Sequence, residues 1–256
     1  MIKKLVILAG GRGTRFLEET NLTPKPMINI GPYPIILHIM KYYSFYGVKD
    51  FIICGGYKVE QIKNFFINLK IFLNDLEIDY KNQQINLLTN KNLDWNVKVI
   101  DTGLKSMTGG RLKKIKKYFN KDENFFLTYG DGLSNININS LKRYHLKSNK
   151  VGTMTIVIPP ARYGAVETKK NLVTKFQEKQ KDITKYINGG FFVFNYKIFN
   201  YLRNSNTILE EDVLTKLSSI NQLQAFKHHG FWQSMDSLRD KLYLEEVWKK
   251  NPLWKK

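Results

Sequence analysis

Lys3-Lys4-Leu5-Val6-Ile7-Leu8-Ala9-Gly10-Gly11-Arg12-Gly13-Thr14-Arg15 stands at the start of the chain, and its two halves call for different structures. Lys3 to Ala9 is a strand-length apolar run closed by a glycine turn signal, the pattern of a strand buried on both faces. Three glycines in four positions then let the backbone turn sharply and bring its N–H groups against an anion, with Arg12 and Arg15 adding charge. A triphosphate suits such a loop. Two known phosphate loops do not match it: the Walker pattern needs Gly-Lys followed by Ser or Thr, and the dinucleotide fingerprint needs a third glycine where Phe16 stands. Taken bare, the turn is as readily a tight structural connection.

Working outward, strands and helices alternate. Pro34 to Tyr46 carries Ile35, Ile39 and Tyr43 at helical spacing and is stopped by Gly47. Phe51 to Cys54 is a second strand and Val59 to Leu73 a second helix. Asn124 to Thr128 is a third strand, running into Tyr129-Gly130-Asp131-Gly132. Leu112 to Phe119 reads as a basic helix, and Val151 to Ile158, Gly190 to Asn195 and Gln224 to His228 as later strands. Ser237 to Lys249 reads as the last helix. Strands separated by helices predict an α/β fold with a doubly wound, mostly parallel, Rossmann-like sheet. The stretch from Leu76 to Ile100, short pieces around Asn-rich turns, predicts a small hairpin-like β insertion in a single domain spanning 1–256. No repeat or linker composition marks a boundary. In this class ligands bind beyond the carboxyl ends of the parallel strands, so the loops after strands are where chemistry is sought.

Composition sets limits on function. The chain has 256 residues, 43% hydrophobic and 13% aromatic, enough for a large core. Its formal charge of +19 comes mostly from lysines scattered along the chain, with no basic block longer than Lys113-Lys114 and Lys116-Lys117. That distribution fits a solvated surface better than a nucleic-acid or acidic-lipid site, so neither is an expected partner. No apolar run nears the roughly 20 residues of a membrane span. The first strand begins almost at Met1, leaving no room for a leader, and a cytoplasmic protein is expected. Cys54, the only cysteine, sits in an apolar run as a buried, inert thiol. His38, His145, His228 and His229 show no metal spacing and read as structural.

Thr23-Pro24-Lys25-Pro26-Met27 gives the glycine loop a context. A lysine clamped between two prolines is held on a stiff, extended segment, which suits an ammonium that must point at one place. Leu8 to Arg15 followed by Pro24-Lys25-Pro26 resembles the signature of the sugar-1-phosphate nucleotidyltransferases, enzymes of the nucleotide-diphospho-sugar transferase fold. The resemblance runs through Glu18-Glu19-Thr20, Asp101-Thr102-Gly103, Ser106 to Arg111 and Thr128 to Gly132. It continues through Phe176-Gln177-Glu178-Lys179, Ile187 to Phe192, Gly230 to Gln233 and Met235-Asp236, and it is nearest to the cytidylyl-transferring branch. The resemblance implies CTP and α-D-glucose 1-phosphate as substrates, CDP-glucose and pyrophosphate as products, and Mg²⁺ as cofactor. It also implies a homo-oligomer serving polysaccharide biosynthesis, for which the aromatic insertion around Trp95 could supply a contact.

The residues add their own reasons. Asp131, flanked by Gly130 and Gly132 after a buried strand, can approach a ligand closely, and Mg²⁺ takes one or two carboxylates plus phosphates and water. The resemblance pairs it with Asp236; the plainer alternatives are a turn residue for Asp131 and the N-cap of the last helix for Asp236. Ser106, Thr108 and Arg111, with two glycines between them, can hydrogen-bond a base edge and a phosphate, or form an ordinary turn. By resemblance, the nucleotide is held by Leu8, Ala9, Gly10, Gly11, Arg12, Gly13, Thr14, Arg15, Lys25, Ser106, Thr108, Arg111 and Gly130. Arg15, Lys25 and Asp131 are the implied catalytic residues, and Glu178, Lys179, Asn188 and Gly189 the implied sugar-phosphate site. Three positions depart from the family pattern: Gln180 and Ser234 replace prolines, and Lys181 to Tyr186 lacks the usual glycines. A uridylyl- or thymidylyltransferase keeps the same fold, and a non-catalytic nucleotide-binding regulatory subunit is a rival of another class. Presence of Arg15, Lys25, Asp131 and Asp236 together speaks against the latter.

Overall fold

The apolar run that opens the chain forms strand β1 (Lys4–Ala9) in the computed structural model, which describes residues 2–13, 22–159, 165–169, 172–177 and 186–255. A short pair, β2 (Asn29–Ile30) and β3 (Tyr33–Pro34), leads into helix α1 (Ile35–Phe45) and strand β4 (Asp50–Gly55). Helices α2 (Val59–Ile67) and α3 (Leu69–Leu73) precede a hairpin of β5 (Leu76–Asp79) and β6 (Gln84–Leu87). Then come β7 (Asn96–Asp101), α4 (Thr108–Lys114), β8 (Asn124–Tyr129), β9 (Gly132–Ser134) and α5 (Ile138–Leu146). Strand β10 (Gly152–Val157), a hairpin of β11 (Ala165–Lys169) and β12 (Leu172–Gln177), and β13 (Ile187–Asn195) follow. A π-helical segment, Leu209–Leu214, runs into α6 (Thr215–Ser219), and β14 (Leu223–His228), β15 (Trp232–Ser234) and α7 (Leu238–Lys250) close the fold.

Seven strands make the main sheet in the order β14-β10-β13-β8-β1-β4-β7. All neighbours are parallel except β13, which runs antiparallel to both β8 and β10. This is the mostly parallel, doubly wound sheet that the alternation predicts. From β1 the chain winds outward through β4 to β7, then returns to place β8 on β1's other side, so a crevice opens where the winding reverses.

Both faces of the sheet are buried, as the unbroken apolar run requires. Leu5 and Ile7 of β1 join Phe51 and Ile53 of β4, Phe126 and Val193 in one core, packed under α1 and α7. Val6, Leu8, Ile52, Cys54, Phe125, Phe192 and Phe194 point the other way into a second core under α4 and the π-helical segment. Period-two alternation sends neighbours to opposite layers, and each large apolar side chain so buried contributes about 1.5–3 kcal/mol. Burial pushes the Cys54 thiol up to about 12, so it is the inert group expected.

Three elements differ from the sequence reading. The helix expected over Val59 to Leu73 breaks at Asn68, whose side-chain amide donates to the Asn64 carbonyl (2.8 Å) as α2 ends. The insertion expected up to Ile100 contains the β5–β6 hairpin, but Asn96–Asp101 is the parallel edge strand β7 of the main sheet. Being an edge, it alternates Val97, Lys98 and Val99 rather than showing a buried run. Finally, Thr108 to Arg111 is the start of α4 and not a loop. Gly109 and Gly110 are poor helix formers and hid it. A Cβ on Gly110 would lie 2.1 Å from the Ser205 carbonyl oxygen, so both glycines let the helix seat directly on the 205–207 backbone.

Candidate active site

The crevice at the carboxyl ends of β1 and β8 is a cleft of about 590 Å³. Leu8, Ala9, Gly10, Gly11 and Gly13 form one wall; Gly13 has φ +64°, a left-handed conformation that glycine adopts freely. Beside them in the cleft wall lies Arg111, 4% exposed. Its guanidinium donates to the carbonyls of Gly10, Gly55 and Gly103 (2.9 Å each) and to Thr102 Oγ1 (2.8 Å). A Cβ on Gly10 or Gly56 would fall 2.1 or 2.3 Å from it. The sequence pattern offers this arginine to a base edge or a phosphate. In the structure it lines the cleft, and its terminal nitrogens bond protein oxygens, so it also clamps the end of β1 to the ends of β4 and β7. Gly10 is therefore explained by the arginine, while Gly11 has open space around its Cα and faces the cleft.

Lys25 enters from the opposite side. Pro24 is extended (φ −64°, ψ 140°), and Lys25–Met27 makes one tight turn closed by Met27 N–H to Pro24 O (2.7 Å). A Cβ on Gly130 would stand 2.9 Å from the Pro26 ring, so the end of β8 fits against this turn only as glycine. The Lys25 ammonium then donates to Asp131 (2.6 Å) and Asp236 (2.7 Å), bridging the two carboxylates. Burial pulls the Lys25 pKa down, but the two carboxylates outweigh it and the net shift is upward.

Antiparallel pairing brings the two aspartates together. Gly132 of β9 opposes Ser234 of β15, and Met235 N–H donates to Asp131 O (2.9 Å). Ser237, not Asp236, caps α7: its Oγ accepts from Asp240 N–H (3.3 Å) and donates to Asp240 (2.8 Å). That leaves the Asp236 carboxylate to face the cleft. The serine at 234, where the family pattern has proline, donates to Asp236 Oδ2 (2.7 Å), an orienting bond that proline cannot make. Two carboxylates gathered on one cation are hard oxygen donors of the kind a divalent ion takes. Among the described residues no cluster of three or more His, Cys, Asp or Glu forms, so further ligands would come from phosphate and water.

The far wall holds Asn188 and Gly189 of β13 and Tyr129 of β8. Asn188 Oδ1 accepts from Gly190 N–H (2.8 Å) and its amide donates to Tyr129 OH (3.4 Å), while Trp232 donates to Gly189 O (2.7 Å). Tyr129 in turn donates to Glu210 (2.5 Å); burial above all, and then the Glu210 charge, raise its pKa, so it remains a donor. Ser106 and Thr108 also line the cleft, but Arg12 is exposed and lies outside the cleft wall. Thr14, Arg15, Glu178 and Lys179 lie outside the described residues. Sequence reasoning missed Tyr129, Trp232 and Glu210 as individual site residues. Tyr129 and Trp232 sit inside the segments Thr128 to Gly132 and Gly230 to Gln233, whereas Glu210 in Glu210-Glu211-Asp212 carries only the signal of an acidic helix start.

Two buried histidines are structural: His38 bonds Ile30 O (2.8 Å) and His145 bonds Thr153 Oγ1 (2.7 Å). Among the described residues no helix is long and apolar enough to cross a membrane.

Comparison with known proteins fits this geometry. Residues 4–240 match the family model described as nucleotidyl transferase. The chain is 46% identical over 253 residues to the glucose-1-phosphate cytidylyltransferase of Salmonella typhimurium, covering 98% of each chain, and equally to that of Salmonella typhi. Among solved structures, UDP-glucose pyrophosphorylase from Acinetobacter baumannii superposes with a TM-score of 0.67 at 17% identity, covering 100% of this chain and 96% of the other.

Proposed function

The chain belongs to the nucleotidyl transferase family, and on that premise we propose that it acts as a glucose-1-phosphate cytidylyltransferase. It joins CTP and α-D-glucose 1-phosphate into CDP-glucose and releases pyrophosphate. One observation carries the reading: a lysine held between two aspartates at the mouth of a glycine-walled cleft, in a chain 46% identical along its length to enzymes of that name.

The attacking sugar-phosphate oxygen is already anionic at neutral pH, so the reaction needs no strong base. It bonds to the α-phosphorus in line, as the bond from that phosphorus to the β-phosphate oxygen breaks and pyrophosphate leaves. The obstacle is bringing two polyanions together. The glycine wall supplies backbone N–H groups, and Lys25 meets the charge on the α-phosphate and the departing pyrophosphate. Asp131 and Asp236 would hold Mg²⁺, which supplies charge neutralisation at the phosphates. Arg15 on the triphosphate, Lys179 on the sugar phosphate, and Glu178 and Asn188 on sugar hydroxyls complete the assignment. The reading carries with it a cytoplasmic homo-oligomer.

The test is pyrophosphate release with four nucleoside triphosphates crossed against several sugar 1-phosphates. We expect turnover to be highest with CTP and glucose 1-phosphate and to stop when EDTA removes divalent ions. A maximum at another pair would reassign the substrates, and no release with any pair would favour a regulatory nucleotide-binding subunit.

A further inference from the structure

Hydroxyls along the wall expected to read the base have lost their freedom. Ser106 donates its proton to Thr102 O (2.5 Å), and Thr108 donates its proton to Glu210 Oε2 (2.7 Å). Thr108 Oγ1 also accepts from Leu209 N–H (2.8 Å), which spends one of its two lone pairs. The second Glu210 oxygen is taken by Tyr129 (2.5 Å), so the carboxylate bridges two side chains of the cleft wall without lining the cleft itself. A carboxylate accepts only, and each of its oxygens already holds a hydroxyl proton, so neither hydroxyl can turn its hydrogen toward the ligand without losing a charge-assisted bond. Arg111 in the same segment spends its terminal guanidinium nitrogens on protein oxygens while it lines the cleft. What Ser106 and Thr108 present to the cleft is lone pairs.

We propose that Glu210 is a positioning residue for base specificity, holding Thr108 as a hydrogen-bond acceptor so that the wall favours a pyrimidine carrying an exocyclic amino group. Cytosine carries a donor there, where uracil and thymine carry a carbonyl. The carbonyl would face a lone pair with no proton between the two oxygens, the kind of mismatch that polar sites reject strongly. The inference rests on the reading of the protein as a nucleotidyltransferase whose base lies against Ser106 and Thr108.

The experiment compares kcat and KM for CTP and UTP, at fixed glucose 1-phosphate, in the wild-type protein and in Glu210→Ala, Thr108→Val and Thr108→Ser. In Glu210→Ala the Thr108 proton is free to turn. We expect the CTP-to-UTP ratio of kcat/KM to fall about tenfold or more, chiefly through KM. Thr108→Val, which has no lone pair, loses the ratio, and Thr108→Ser, which keeps the hydroxyl, retains it. A parallel loss for both nucleotides with the ratio unchanged overturns the inference and leaves the cytidylyltransferase reading standing. A wild-type protein that prefers UTP overturns both. Should Glu210→Ala fail to fold, the Thr108 pair decides by itself.

Discussion

Lys25 is positioned by backbone restriction on both sides, and Asp131 and Asp236 by strand pairing, so the three charges meet at places that the backbone sets. Lys25→Ala is expected to lower turnover about 10²-fold or more, the scale of one preorganised electrostatic contact; near-normal steady-state turnover would remove it from the chemistry. The same change leaves two carboxylates facing each other without a cation. Added Mg²⁺ should then raise the melting temperature of the variant more than that of the wild-type protein, and equal shifts would mean that the aspartates do not share an ion. For Arg111, whose donors hold three carbonyls together, Arg111→Lys keeps the charge but not the fork. It is expected to cost about 2–4 kcal/mol in urea denaturation and to raise the KM for nucleotide. Wild-type stability would refute the clamp. Lysine between prolines was legible in the sequence because proline acts locally; the clamp was not, because an arginine's partners depend on what folds around it.

Among the elements, α4 shows how two glycines can mean packing rather than ligand contact. Gly110→Ala places a methyl 2.1 Å from the Ser205 carbonyl oxygen, and we expect about 1–3 kcal/mol of destabilisation from overpacking, read by thermal melting. Gly11→Ala has open space within 4 Å and lines the cleft, so it should melt like the wild-type protein while weakening nucleotide binding. The reverse outcome would exchange the two roles. Long buried strands such as β1 and β4 declare themselves through unbroken apolar runs. Strand β7 does not, since a sheet edge is half exposed and alternates, and the start of α4 is masked by residues whose helix propensity is poor and whose value lies in close contact.

For the whole molecule, two neutral histidines tie distant parts together. His38 donates Nε2–H to Ile30 O (2.8 Å) and accepts from Trp254 (3.3 Å), joining α1 to the end of the chain; His145 links α5 to β10 through Thr153. Burial lowers both pKa values to about 4, with the Lys41 charge adding to the effect at His38. Above pH 6.5 neither the folded nor the unfolded histidine is charged, and stability is complete. Between 6.5 and about 4 the unfolded histidine binds a proton that the folded one refuses, so stability falls as pH falls and the loss levels off below about 4. Each histidine contributes about 3 kcal/mol to that loss. His145→Asn and His38→Asn should flatten the decline in urea denaturation between pH 7 and 4.5, and unchanged slopes would mean that the histidines protonate in place. The sequence alone determined the layered order of strands and helices, the glycine turn, the stiffened lysine and the likeness to a family, because periodicity, proline geometry and local motifs act over a few residues. Tertiary structure decided that Asp236 faces the cleft while Ser237 caps the helix, that Arg111 ties together the carbonyls of Gly10, Gly55 and Gly103, and that Glu210 holds Thr108. Those outcomes depend on register between β9 and β15 and on which buried donors find acceptors, and both are set only when segments far apart in the chain come together.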